Sequence, residues 1–388
     1  MSIRIRTRSR SRRRRSRLRP ILLSVIAVVT LLGWSVHQLW RQGLLPVDQT
    51  ATDGYEVIHI STQRVTLPED DAPHENYMEW WYYSGHLWGT DQHRYSFHYV
   101  LFVIRSLTTW TVAHASFVDQ ASGRHYTAQR RTAGKPTTDR PSQFAFQLGD
   151  WQMKGGNGHD ILRINDLQFT LNLTLESVAS PVLQGGTGLL DFKQAGTSYY
   201  YSRPRMRATG TAGLRGQIQE ITGQVWFDHQ WGDFRPAALG WNWFALQLDN
   251  GADVMLYDLF DHDGKMVLRS GTYTMHGVTT PLTETDFHLT TTGRWTSAQT
   301  GATYPMGWTL ALPGQGIEVV ITPVIKNSEF DGRTTSYLVY WEGAVTISGN
   351  HQGLGFVELS GYLKEPDDTA LNEQRHTNNE NQCAAINR

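Results

Sequence analysis

Cysteine is nearly missing from this chain: of 388 residues only Cys383, close to the C-terminal end, carries a thiol. An intrachain disulfide and a thiolate metal site are therefore excluded, and the fold must rest on its apolar core. Charge is sparse as well, with Asp, Glu, Lys and Arg at 18% together. The body shows no helical stripe of three turns. It also lacks a G-x-S-x-G elbow, an H-E-x-x-H pair, a P-loop and a G-x-G-x-x-G followed by a helix. These absences speak against the common hydrolase, NTPase and dinucleotide-binding folds, and neither a cofactor nor a metal is expected. The 15 histidines have no metal-pair spacing with a carboxylate on a helix, although a zinc site assembled from distant strands stays open.

Acidic residues are absent from residues 1–19, which hold ten arginines. The formal net charge of −1 minus those ten leaves −11 for the rest, so nothing favours nucleic-acid binding by the body. Pro20 to Trp40 then carries no formal charge. About 20 such residues span a bilayer core of ~30 Å. Trp34 and Trp40 suit the far interface, and the arginines hold the near end in the cytoplasm. No small-x-small cleavage site follows the apolar run. The expectation is an uncleaved, single-pass signal anchor in the inner membrane with the body on the periplasmic side.

What the chain has in abundance is aromatic residues and glycine: 14 Trp, 16 Tyr and 36 Gly. That suits strands and turns. Leu167 to Leu175 alternates apolar and polar over nine residues, as a half-buried strand does. Asp249-Asn250-Gly251 and Asp261-His262-Asp263-Gly264 sit between apolar runs, as hairpin turns do. The strand pattern also repeats. Trp80-Trp81-Tyr82-Tyr83 and Tyr95 to Phe102 form one hairpin; Trp241-Asn242-Trp243-Phe244 and Val254 to Phe260 form another. The closing pairs, Tyr199-Tyr200-Tyr201 to Val225 and Tyr337 to Leu363, match as well. Two tandem β-domains follow, each with strands enough for a barrel or sandwich. The organisation expected is an Arg-rich tail (1–19), anchor (20–40), linker (41–70), first domain (71–232), second domain (233–364) and a polar, disordered tail (365–388).

Three motifs carry a resemblance. Glu79-Trp80-Trp81-Tyr82-Tyr83-Ser84-Gly85-His86-Leu87 resembles the E-W-W-Y-x-x-G-H-L signature of the AttH and carotenoid 1,2-hydratase (hydroxyneurosporene synthase) group. Asp228-His229-Gln230-Trp231-Gly232 resembles its central D-H-x-W-G. Tyr340 to Val345 and Gly355 to Tyr362 resemble its closing strands. The resemblance covers about residues 70 to 364. It implies an all-β fold of two lipocalin-like barrels, and a group that holds carotenoid hydratases together with exported proteins of no defined activity.

Water addition to an isolated alkene needs an acid kept protonated by an apolar setting and aromatic faces that tolerate a cation. Asp258, inside Val254 to Phe260, fits that demand, and a carboxyl so placed is either neutral or paired. The resemblance adds His229 and Trp231 to Asp258 as the site; Leu256 stands where the hydratases, as aligned, carry a tyrosine. Trp80, Trp81, Tyr83, Trp241, Trp243 and Tyr257 are the candidate wall for a polyene or acyl chain. Glu79, His86 and His98 read first as structural. Three functions stay open: a carrier of a long apolar ligand (lipid or isoprenoid) beside the membrane, ranked first; a hydro-lyase hydrating a terminal isoprenoid double bond with Asp258 as acid; and an accessory protein of a membrane export complex.

Overall fold

The computed structural model describes residues 65–134, 141–235 and 239–363. The expected tail and anchor, 1–40, and the tail beyond residue 363 lie outside these. Among the described residues no helix is long and apolar enough to cross a membrane, and helical structure is confined to single 3-10 turns such as Glu69–Asp71.

Twelve strands make a first sheet: β1 (Met78–Gly89), β2 (Arg94–Arg105), β3 (Thr109–Asp119), β4 (Arg124–Ala133), β5 (Phe144–Leu148), β6 (Trp151–Gly156), β7 (His159–Asn165), β8 (Phe169–Ser177), β9 (Val182–Leu183), β10 (Leu189–Asp191), β11 (Gly196–Leu214) and β12 (Gln217–Phe234). Their order is β4-β3-β2-β1-β12-β11-β8-β7-β6-β5, with β9 and β10 paired to β11. The sheet curls until its two edges meet, where Arg130 of β4 donates to the carbonyl of Leu148 at the end of β5 (3.3 Å).

The second sheet repeats the plan. It contains β13 (Gly240–Leu248), β14 (Asp253–Phe260), β15 (Met266–Met275), β16 (Val278–Thr283) and β17 (His288–Thr291). β18 (Arg294–Thr296) and β19 (Thr303–Pro305) pair with each other alone. β20 (Trp308–Leu312), β21 (Ile317–Pro323), β22 (Glu329–Gly332), β23 (Leu338–Gly349) and β24 (Gly353–Ser360) complete it. The order is β16-β15-β14-β13-β24-β23-β21-β20-β17, with β22 paired to β23. The expected turns are present: Gly251 N–H donates to Leu248 O and Gly264 N–H to Asp261 O, both glycines at the positive φ that such turns require.

Strand side chains alternate between two faces, and here both faces of the central strands are buried. On β1, Trp81, Tyr83 and Leu87 point into the first barrel, while Met78, Trp80 and Tyr82 point out of it. On β13 and β14, Phe244, Leu246, Val254 and Leu256 fill the second barrel, while Trp243, Ala245, Met255 and Tyr257 point out. The two interiors are packed with side chains. Fully buried Trp81 and Trp151 lie in the first and Trp308 and Trp341 in the second. The outward faces of β1, β2, β11 and β12 meet those of β13, β14, β23 and β24, forming a third core along the seam. Two-sided burial explains why these strands read as nearly continuous apolar runs rather than as alternating ones.

Polar bonds fasten the seam. Tyr82 donates to Glu342 Oε1 (2.7 Å), Trp243 Nε1–H to the Tyr200 hydroxyl (2.9 Å), and His86 Nε2–H to Gly355 O (3.0 Å). Arg205 clasps the Asp253 carboxylate at 2.9 and 3.2 Å and the carbonyls of Leu248 and Ala252 at 3.0 and 3.1 Å.

Candidate active site between the barrels

A cleft of about 110 Å³ opens along the seam. Its walls are aromatic and aliphatic, with Trp80, Phe102, Phe192, Trp241, Trp243 and Tyr257 prominent. Its floor holds Asp228, Glu342 and Glu358 with Tyr82, Tyr200 and Tyr340. Among the described residues lining it there is no lysine, arginine or histidine. Three carboxyl groups thus share an apolar space without a cation.

The registers explain how they come together. Tyr82 of β1 lies between Asp228 of β12 and Val100 of β2. Trp243 of β13, its counterpart in the repeat, lies between Glu358 of β24 and Tyr257 of β14. Asp228 and Glu358 therefore occupy matching positions in the two copies. Glu342 of β23 is directly opposite Glu358. Gly343 follows it because the Trp341 ring fills the space a side chain would need; a Cβ there would lie 2.3 Å from that ring.

The carboxyls differ in their partners. Asp228 Oδ1 accepts from Ser202 (2.5 Å) and from the Trp226 indole (2.7 Å). Its Oδ2 accepts from Tyr200 (2.6 Å). Both hydroxyls are oriented from behind, because Ser202 accepts from Gln184 Nε2 (2.6 Å) and Tyr200 from Trp243. Burial pushes Asp228 up to about 7, against the pull of these three donors. Glu342 has a single donor, Tyr82 on Oε1, and its Oε2 is buried with no partner. Burial, then the neighbouring Glu358, hold Glu342 well above the usual carboxylate range. Burial likewise pushes Glu358 up to about 8, with Asp228 adding to the rise and the Trp241 indole opposing it. The directed donors favour the ionised form at Asp228 and oppose the effect of its burial, whereas burial beside Glu358 favours the neutral form at Glu342.

The residues singled out from the sequence divide between the two strand faces. Trp80, Trp241, Trp243 and Tyr257 line the cleft. Trp81 and Tyr83 are instead fully buried inside the first barrel, where Tyr83 donates to Asp160 (3.0 Å). Asp258 faces away from the cleft and forms a bidentate ion pair with Arg269 across β14 and β15, at 2.7 and 2.8 Å. Of the two states open to it, the structure draws the paired one. His229 and Trp231 also face the first barrel's interior. His229 Nε2–H donates to Glu79 Oε1 (3.0 Å), which His74 Nδ1–H also approaches at 2.8 Å. Trp81 stacks on His229 at 4.3 Å and Trp231 on His74 at 4.0 Å. His74, Glu79 and His229 are the one group of potential metal ligands recorded among the described residues, all within 4.8 Å. Both imidazoles already share one oxygen of Glu79, and Arg105 lies 3.6 Å from the other, an arrangement that opposes a cation. The cluster caps the barrel end.

The sequence reading missed Asp228, Glu342 and Glu358. The signal was present, since Trp341-Glu342-Gly343 and Val357-Glu358-Leu359 place an acid in an apolar run just as Tyr257-Asp258-Leu259 does.

Comparison with known proteins agrees with this architecture. A structure described as an AttH from Nitrosomonas europaea is 26% identical; the match covers 79% of this chain and 99% of that one, with a TM-score of 0.71. Kievitone hydratase from Nectria haematococca shares the fold at 21% identity, covering 77% and 94% of the two chains, with a TM-score of 0.64. The dehydratase asqC of Emericella nidulans is 23% identical over 274 residues, 64% of this chain and 76% of that protein. The AttH-like family model matches residues 59–362, and the chain belongs to that family.

Proposed function

We propose that the protein is a hydro-lyase that removes water from, or adds it to, an uncharged apolar substrate held in the seam cleft. The observation that carries this reading is Glu342 Oε2: a buried, partnerless carboxyl oxygen between aromatic walls, with an anionic acceptor nearby. The absence of a basic side chain among the described lining residues disfavours carboxylate or phosphate substrates, whose charge would be buried there without a cationic partner. The relatives described as a hydratase and a dehydratase support the same class of chemistry.

In the dehydrating direction Glu342 gives its proton to the substrate hydroxyl. The C–O bond breaks, water departs, and cationic character on carbon faces the tryptophans. Asp228 accepts the proton from the adjacent carbon through the lone pair of Oδ2 that its three donors leave open, and the C–H electrons form the double bond. The proton taken up by Asp228 returns through water to Glu342. Hydration is the reverse, and an isoprenoid chain end is the alkene to which the sequence resemblance points. Positioned acid–base pairs contribute roughly 10²–10⁴-fold each.

The test is a panel of neutral tertiary and allylic alcohols and the matching alkenes, followed by ¹⁸O exchange with solvent. The expected result is exchange by the full-length protein that Glu342→Gln reduces by at least ~100-fold. The rate should rise through about pH 7 as Asp228 ionises and fall at higher pH as Glu342 loses its proton. Unchanged exchange in Glu342→Gln overturns the assignment. Membrane attachment through residues 20–40 is proposed on the sequence alone; sedimentation with membranes that deletion of residues 1–45 fails to abolish would refute it.

A further inference from the structure

The polar groups around the cleft are largely engaged with one another. Tyr82 gives its hydrogen to Glu342, and Tyr200 gives its own to Asp228. The Trp243 indole donates to Tyr200 and the Trp241 indole to Glu358. Those tryptophans turn their polar edges to the floor and offer a ligand carbon surface. Tyr340 is held by His114 Nδ1 (3.0 Å) and His98 Nε2 (3.2 Å). Trp80, Phe102 and Trp241 are half-buried, so part of each ring stays open to the cleft. Two lining atoms are buried without a partner, Glu342 Oε2 and the Tyr257 hydroxyl. A phenol both donates and accepts, so Tyr257 sets no sign on a ligand; an ionised carboxyl only accepts. Spacing speaks against a metal. Among the described residues only His74, Glu79 and His229 bring three ligand atoms within 4.8 Å of one another. Asp228, Glu342 and Glu358 are spread too widely to share one metal ion. The complement of this cleft is a larger cation with an apolar body.

We infer that the seam cleft is a binding site for a protonated tertiary amine with apolar substituents, its one N–H donated to Glu342 Oε2 and its carbons laid against the tryptophans. The charge of such an ammonium spreads over the carbons next to nitrogen, where aromatic faces attract it. Asp228 and Glu358 add countercharge from the floor. The titratable groups facing the site are Tyr82 of β1, Tyr200 of β11, Asp228 of β12, Tyr257 of β14, Tyr340 and Glu342 of β23, and Glu358 of β24. Behind Tyr340, burial lowers His98 well below the ordinary histidine range and His114 to about 3, so both are neutral. Burial keeps the proton on Asp228 up to about 7 and on Glu358 up to about 8. A bound cation opposes that effect and expels a proton. Affinity therefore climbs as pH rises through those values and levels off above them. The binding stands without the hydro-lyase reading. Its consequence rests on that reading: the amine places its charge where the reacting carbon becomes cationic, and so competes with the substrate.

The test compares N,N-dimethylbenzylamine with isobutylbenzene, which keeps the shape and replaces the charged N–H by C–H. Full-length protein is titrated calorimetrically between about pH 5.5 and 8, where the amine stays protonated, in buffers of different ionisation heat. Near neutral pH the amine should bind at least ~10-fold more tightly than the hydrocarbon. Its affinity should rise at least ~10-fold across the range, with release of a proton. Glu342→Gln/Glu358→Gln should lose the preference for the amine while thermal unfolding shows that the fold is kept. Equal or tighter binding of the hydrocarbon by the parent protein overturns the inference, whatever the variant does. A preference that survives in the folded double variant overturns it too, because the amine would then sit elsewhere. Amine binding without ¹⁸O exchange on any alcohol or alkene leaves the site standing and defeats the hydro-lyase reading. Exchange that proceeds while the amine neither binds nor inhibits defeats this inference alone.

Discussion

Replacing Glu358 by glutamine removes a titrating group from the cleft floor and keeps its size. Burial holds the Glu358 carboxyl protonated up to about 8, against 4.5 for an ordinary glutamate. The unfolded chain thus releases a proton that the folded chain retains. Because the folded value is raised, the stability of the parent protein falls as pH rises from about 4.5 and levels off above about 8. The full linkage for such a displacement is about 5 kcal/mol. Glu358 is partly open to the cleft and shares its titration with Glu342, which reduces the expected effect to ~2–3 kcal/mol. Urea denaturation of parent and Glu358→Gln at fixed ionic strength should therefore give nearly equal stabilities near pH 5. Near pH 9 the variant should be the more stable by ~2–3 kcal/mol. A difference that does not grow with pH refutes the reasoning. A difference of opposite sign would mean that the carboxylate has a cationic partner in the fold, and the argument for an uncharged substrate would fall with it.

Two further substitutions separate scaffold from site. Arg203 holds the buried Asp71 carboxylate in a bidentate pair at 2.9 and 3.0 Å, joined by Tyr201. Arg203→Met strands that charge and should cost ~3–5 kcal/mol by thermal or urea unfolding; a loss under ~1 kcal/mol would contradict the pairing. Asp258→Asn breaks the clasp with Arg269 and should cost about 1–2 kcal/mol, leaving ¹⁸O exchange intact. Loss of exchange in a protein that keeps its fold would restore Asp258 to the role of acid.

The fold was legible because it rests on periodicity and repetition. Turns at Gly251 and Gly264, the two matched hairpins and the aromatic strands all follow from local pattern. The site was legible only to within one residue. On a strand, a step of one changes the face. In Asp228-His229-Gln230-Trp231 the sequence drew attention to His229 and Trp231, yet Asp228 is the residue that reaches the cleft. In Tyr257-Asp258 it drew attention to the acid, and Tyr257 is the one in the wall. Both faces of these strands are buried, so hydrophobicity alone does not say which face meets the barrel interior and which meets the seam. That choice is made by the docking of one barrel on the other, a contact between residues more than a hundred positions apart, such as Tyr82 and Glu342.

Asp228 and Glu358 hold matching places in the repeat and meet across one seam. Were the two copies separate and identical chains, a two-fold axis would present every side chain there twice. Covalent linkage lifts that obligation. One copy sets an aspartate among three donors, while the other sets a glutamate against a second glutamate. A symmetric frame thereby holds unlike carboxyl settings, and the reaction proposed above would take its acceptor from the first half of the chain and its donor from the second. Residues of both halves line the cleft, so the proposed chemistry would need the pair.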